Sequence, residues 1–147
     1  MSDERPVLDD FRFRRPFPTR WNDDDVFGHV NNTVHYAAMD STVTAWLLGG
    51  RTKDEAFGGD ADAAFVVASS CRYFASAAFP DVLVVGLRAD RVGTTSVSWG
   101  LGIFREDGEP VAAGTFVHVF VDRASRRPVP VPRPIRERID RELGARA

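Results

Sequence analysis

The chain has 147 residues, 44% of them hydrophobic and 27% charged, with a formal net charge of -2. That is the size and composition of one globular domain with a core of its own, and it carries no positive field that would draw it to nucleic acid or an anionic membrane. The single cysteine, Cys71, excludes an intrachain disulfide and a multi-cysteine zinc site.

Residues 1 to 10 read as a lead-in to one domain spanning 1 to 147. Their charged start lacks the apolar run of a secretory signal, and no stretch approaches the roughly 18 apolar residues of a membrane span, so a cytoplasmic protein is expected. Phe11 to Arg14 and Phe17 to Trp21 alternate apolar and polar, which predicts a first strand broken at Pro16 or Pro18. Asn22 to Asn31 is polar and acidic, a loop. Asn31 or Asn32 can cap a helix running to about Leu48, where Gly49-Gly50 stops it. Val34, Ala38, Ala45 and Leu48, with Ser41 between them, share one face of small residues on which a sheet could lie closely. Residues 51 to 62 predict a loop with a short helical turn.

Four strand-like runs follow: Ala63 to Phe74, Val82 to Val92, Thr95 to Arg105 and Pro110 to Asp122. Period-two alternation groups Leu83, Val85, Leu87 and Ala89 in the second, and Val97, Trp99, Leu101 and Ile103 in the third. In the fourth it groups Ala113, Thr115, Val117, Val119 and Val121. Asp107-Gly108 marks a hairpin between the last two. Four prolines from Pro128 to Pro134 end the sheet, and Ile135 to Leu143 predicts a short exposed helix in a tail from 133 to 147. Strand, long helix, then four long strands is an α+β order. One helix covers one face of such a sheet, so a homo-oligomer is expected.

The chemistry-bearing segment is Asp23-Asp24-Asp25-Val26-Phe27-Gly28-His29-Val30-Asn31-Asn32. On composition alone it is a solvated acidic run that complements a helix N-terminus. Spacing adds a second reading. Gly28 permits a tight turn after Asp25. Free N–H groups around Asn31 to Thr33 would then face the same space as the Asp25 carboxylate. A base or nucleophile beside an anion-stabilising pocket is minimal equipment for acyl transfer, and a thioester suits it because its thiolate leaves easily. No G-x-S-x-G elbow is present.

Trp21 to Asp40 resembles the opening of the 4-hydroxybenzoyl-CoA thioesterase-like branch of the hotdog-fold superfamily. That branch shows D-x-D-x-x-G-H-V-N-N before a helix with an early aromatic residue. Asp23, Asp25, Gly28, His29, Val30, Asn31, Asn32 and Tyr36 stand in that pattern here. Pro80-Asp81 before a long strand and the Arg127 to Pro130 close match as well, so the resemblance covers about residues 11 to 133. It implies a long antiparallel sheet of about five strands around one central helix. It also implies hydrolysis of an acyl-CoA thioester, with Asp25 as nucleophile or general base and the Asn32 N–H polarising the carbonyl. His29 and Asn31 would line or brace the loop. Subunits would pair as dimers or tetramers with the acyl-CoA between them, and no cofactor is implied. Where the bacterial branch binds CoA phosphates with basic residues, this chain has Gly93-Thr94-Thr95-Ser96, with Arg91 close by. Thr94, Thr95 and Ser96 are then the contacts to pantetheine or phosphate, and Arg88, Arg126 and Arg127 offer another route. Tyr36, Met39, Val43 and Trp46 would shape the acyl pocket.

Other signals are weaker. His29 and His35 lack metal-ligand spacing, and Phe27 and Val34 occupy positions where a calcium loop needs oxygen. Gly100-Leu101-Gly102 lacks a third glycine and predicts a close helix or subunit contact. His118 reads as a packed, hydrogen-bonded histidine, and Cys71 as a buried small residue. An acyl-carrier-protein thioesterase docking through Arg126 and Arg127 stays open, as does a non-catalytic acyl-CoA-binding protein. A dehydratase would need a His-Asp motif that the sequence lacks.

Overall fold

The computed structural model describes residues 5–59 and 61–144. The chain forms β1 (Phe13–Pro18), α1 (Asn32–Leu48), α2 (Lys53–Phe57), β2 (Ala63–Tyr73), β3 (Val82–Val92), β4 (Ser96–Phe104), β5 (Pro110–Val121) and α3 (Arg133–Arg138). The five strands make one antiparallel sheet in the order β1-β3-β4-β5-β2, and α1 packs across it. The α+β order and the strand limits are those the alternation predicts, within two residues. β1 differs: it runs unbroken through Pro16, pairing from Phe13↔Leu87 to Pro18↔Val82. It is an edge strand, so prolines whose missing N–H faces outward cost the ladder nothing.

The core lies between α1 and one face of the sheet. β3 contributes Leu83, Val85, Leu87 and Ala89, and β4 contributes Val97, Trp99, Leu101 and Ile103, as the alternation predicts. Trp46 of α1 meets Trp99 with ring centroids 5.4 Å apart. Each such fully buried side chain contributes roughly 1.5–3 kcal/mol.

Two predicted faces are corrected. In α1 the buried residues are His35, Ala38, Met39, Thr42, Val43, Trp46 and Leu47, while Ser41 is exposed and Val34, Ala45 and Leu48 are only half-buried. Turning the helix this way buries Met39, Val43 and Trp46, far more apolar area than the small-residue face offers. The polar intruder Thr42 returns its hydroxyl to Ala38 O at 2.8 Å. In β5 the buried side is Ala112, Phe116, His118 and Phe120, with Ala113, Thr115, Val117 and Val119 half-exposed. Both faces of that strand are apolar enough to alternate. The rings decide, because only the helix side has depth for them.

The opposite face of the sheet is covered in part by the chain's own N-terminal segment. Phe11 is 1% exposed and lies flat against Gly86, where an added Cβ would come 2.6 Å from its ring, and against Gly102. Gly100 lies under Arg88 and Asp90. The two β4 glycines therefore make room for side chains of this chain rather than for a helix. The predicted exposed C-terminal helix is corrected too. It starts at Arg133, continues as a π turn over Ile139–Leu143, and buries Ile139 and Leu143 in the core. Residues 133 to 144 are thus part of the domain, while 1–4 of the lead-in and 145–147 of the tail lie outside the described residues.

Candidate active site

The loop from Thr19 to Asn31 leaves β1 and delivers the chain to the start of α1. It is pinned at each step. The backbone N–H and hydroxyl of Thr19 both bond Asp81 O, at 3.0 and 2.5 Å. A 3-10 turn over Trp21–Asp23 follows. Asp23, 1% exposed, accepts the Arg20 backbone N–H at 2.8 Å and its guanidinium at 2.8 Å. The hydrogen bond from Arg20 holds this carboxyl below the usual carboxylate range. Asp24 turns its carboxylate to the Phe79 N–H at 3.1 Å and bridges Val30 across the loop. Val30 N–H bonds Ala77 O at 2.7 Å.

Asp25 is placed differently from both. Its N–H donates to His29 O at 2.9 Å and its C=O accepts Gly28 N–H at 3.0 Å. This closes a tight turn in which Gly28 has φ 80°, the left-handed conformation that glycine adopts without strain. Its Oδ1 accepts the Phe27 N–H at 2.9 Å, and its Oδ2 meets no donor among the described residues. Two of the three carboxylates are committed to holding the loop, and the third keeps an unengaged oxygen at the surface.

Asn31 is the N-cap of α1. Its Oδ1 accepts the N–H and the hydroxyl of Thr33, both at 2.9 Å, and its own N–H donates to Asp23 O. Val34 N–H returns to Asn31 O. The run of free amides expected from Asn31 to Thr33 therefore narrows to one. Only Asn32 N–H has no partner among the described residues, at the positive end of a 17-residue helix. His29 is exposed and braces the turn through its carbonyl. One turn into α1, half-buried Tyr36 lies 6.2 Å from the Phe116 ring. His35 is buried, its Nδ1 3.2 Å from Asn31 O and its ring edge-on to Tyr73 at 5.1 Å. Burial pushes its imidazole below the ordinary value.

Asp25, His29, Asn31, Asn32 and Tyr36 thus share one end of the molecule. Thr94, Thr95 and Ser96 do not join them. They form the β3–β4 hairpin, at the far end of a strand that spans about 35 Å at 3.3 Å per residue. There Thr94 O accepts Val131 N–H, Thr95 O accepts Phe120 N–H, and Arg136 caps Gly93 O. Arg88 is held by Asp90 at 2.7 Å and lies over Phe11, whereas Arg126 and Arg127 are exposed. Of the expected acyl-pocket residues, Met39, Val43 and Trp46 are sealed in the core at 1% exposure or less, leaving Tyr36.

The family model of the thioesterase-like superfamily matches residues 19–139, which takes in the loop, α1 and all of β2 to β5. The chain belongs to that superfamily. It has the hotdog fold. The PA5185 protein of Pseudomonas aeruginosa is 40% identical over 97% of this chain and 100% of that one, with a TM-score of 0.85. A Thermus thermophilus thioesterase solved with coenzyme A and zinc is 28% identical over 93% and 98%, with a TM-score of 0.78. A 1,4-dihydroxy-2-naphthoyl-CoA thioesterase of Synechocystis, 22% identical over 86% and 94% at a TM-score of 0.78, shares the fold. No curated protein matches the chain. No helix among the described residues is long and apolar enough to cross a membrane.

Sequence reasoning missed two features near this superfamily member's candidate site. One is the segment from Ala77 to Asp81, whose backbone holds the acidic loop on three sides. Nothing in its composition signals that role. The other is a cavity of about 280 Å³ beside α1, lined by Asp40, Thr44 and Leu47 of the helix, by β2 from Ala63 to Val66, and by His118 and Arg123 among others. The signal for it was present: Tyr36, Asp40 and Thr44 form a polar stripe at spacing four, on the helix flank next to the buried face.

Proposed function

We propose that this protein hydrolyses acyl-CoA thioesters at the loop–helix junction. The observation that carries the reading is the pairing of one uncommitted carboxylate oxygen, on Asp25, with one uncommitted helix N-terminal amide, on Asn32. The amide and the helix dipole favour the oxyanion that develops as the carbonyl is attacked. As nucleophile, Asp25 adds to the carbonyl carbon and the C–S bond breaks. CoA leaves as thiolate, and water then cleaves the mixed anhydride. As general base, Asp25 takes a proton from the water that attacks, and the same bond breaks. Both routes yield free acid and CoA. The Thermus relative is a thioesterase that forms a complex with coenzyme A, which supports CoA as the carrier.

A second copy of the chain completes the reading. β2 is the other edge of the sheet, 11 residues long, with Phe65, Val66, Val67 and Tyr73 43–59% exposed. An exposed apolar edge of that length invites strand pairing. A two-fold axis pairs identical edges antiparallel, so the partner's Thr94–Ser96 end comes to the same end of the joint sheet as this chain's Asp25. The separation of the two groups within one chain then ceases to count against a shared site.

A panel of acyl-CoA thioesters with thiol release as readout tests the reading. Release from at least one member is expected. Binding with no turnover across the panel would instead make this an acyl-CoA-binding protein, and turnover of acyl carrier protein thioesters alone would move the carrier.

A further inference from the structure

His118 has no part in the chemistry above, yet it is a buried titratable group on a cavity wall. It is 5% exposed. Its Nδ1 accepts the indole N–H of Trp99 at 2.9 Å. A nitrogen that accepts cannot carry the proton, so in the neutral ring the hydrogen is on Nε2. Burial keeps the ring neutral by pushing its imidazole below the ordinary value, against the pull of Asp40. Among the described residues Nε2–H has no acceptor. It is not sealed in the core either, since the ring lines a cavity whose walls include Asp40, Thr44, Leu47, Val66 and Arg123. A donor held in place by the Trp99 bond and opening on a cavity is a place where a ligand oxygen can exchange solvent for a directed hydrogen bond.

The cavity also stands at a defined distance from the site. Asp40 is eight residues into α1 from Asn32, about 12 Å along the helix at 1.5 Å per residue. Tyr36 and Phe116 pair between the two, with ring centroids 6.2 Å apart. An extended chain of tetrahedral carbons advances about 1.25 Å per bond, so roughly ten bonds separate the reacting carbonyl from His118. The walls are mixed. Leu47, Ala64 and Val66 suit methylene groups, and Asp40, Thr44 and the His118 N–H suit an oxygen that both accepts and donates.

We propose that this cavity receives the far end of the acyl chain and that His118 selects chains carrying an oxygen substituent, a hydroxyl above all, about ten bonds from the thioester. His118 is then a specificity residue, reading the substrate well away from the chemistry. Asp40 and Arg123 both line the cavity, so its formal charges offset and a neutral hydroxyl suits it. This inference rests on the thioesterase reading, and its test separates the two.

The test compares decanoyl-CoA with ω-hydroxydecanoyl-CoA by kcat/KM from thiol release. It also compares the two free acids by calorimetric Kd, which needs no turnover. The wild-type protein is expected to favour the hydroxylated member about tenfold in both. His118→Phe, which keeps a ring but loses the donor, should bring both ratios near one, and His118→Gln, which restores an N–H, should bring preference back. Equal wild-type ratios would overturn the inference, as would an undiminished ratio in a folded His118→Phe. Should that variant not fold, the wild-type ratios and those of His118→Gln still decide. If no thioester is cleaved, the thioesterase reading fails while the Kd ratio still judges the cavity.

Discussion

Replacing Asp25 in two ways separates its chemistry from its place in the turn. Its Oδ1 accepts the Phe27 N–H at 2.9 Å, and its Oδ2 is unengaged among the described residues. Asparagine keeps an acceptor oxygen for the Phe27 N–H and loses the charge, whereas alanine loses both. One exposed turn hydrogen bond is worth about 1 kcal/mol net. For 147 residues the unfolding entropy near Tm is about 0.3 kcal/mol per kelvin, so alanine should lower Tm by about 3 °C and asparagine by about 1 °C or less. Activity should follow the charge. An amide neither attacks a thioester nor takes a proton from water, and loss of a positioned base or nucleophile costs at least about 100-fold in kcat/KM. The expected pattern is two variants alike in lost thiol release and different in Tm, measured by steady-state kinetics and scanning calorimetry. Asparagine activity within about threefold of wild type would refute a chemical role for Asp25. Loss of activity in alanine alone would reduce that role to shaping the turn.

Three further outcomes follow from the packing. Arg138 donates to Trp46 O at 2.7 Å and Leu47 O at 3.2 Å and lies 4.1 Å over the Trp46 ring. Arg138→Ala should therefore cost about 3 kcal/mol, or about 10 °C in Tm by calorimetry, with lysine recovering only part. His35 and His118 are both held below the ordinary imidazole value of 6.5 by burial, so the unfolded chain binds more protons than the folded one as pH falls through that value. Stability contributed by neutral burial is full above about pH 6.5 and declines below it, and His118→Phe should flatten that decline in a Tm-against-pH series. Val67→Arg, on the exposed β2 edge, should convert an oligomer to a monomer in sedimentation analysis. A wild-type monomer would remove the shared-site part of the proposed function.

Much of the fold was legible because α1 and the β strands carry strong periodic patterns with clear stops. Asn31, Gly49 and the Asp107-Gly108 turn each have one local role, and each is found in it. Side-chain facing was less legible where a segment is apolar all round. In α1 the small-residue stripe and the Met39–Trp46 stripe are adjacent, and only packing depth against β4 chooses between them. In β5 the choice between valines and phenylalanines is of the same kind. The C-terminal segment looked exposed because its two buried positions, Ile139 and Leu143, are set among Glu137, Arg138, Asp140, Arg141 and Glu142. Arg138 becomes a half-buried cap only because α1 ends beneath it.

The acidic run itself shows why composition and spacing gave different answers. Read as composition, Asp23, Asp24 and Asp25 are interchangeable, and a helix-capping role covers all three. The backbone makes them unequal. Asp23 reaches inward to Arg20, Asp24 sideways to Phe79, and Asp25 only to its own turn. Asp23 closes the loop on itself and Asp24 fixes it against the segment before β3, and that rigidity is what a positioned carboxylate requires, since chemistry at a thioester depends on holding the attacking atom near van der Waals contact. The cap belongs to Asn31, which frees the acids from the helix and leaves the Asn32 amide unspent. An N-cap side chain accepts the N–H two or three positions on, here that of Thr33, so capping α1 does not compete for the Asn32 amide that the proposed reaction uses. With the uncharged Asn31 as cap, the Asn32 amide and the Asp25 Oδ2 both stay without partners among the described residues, within one short loop, as the proposed hydrolysis requires.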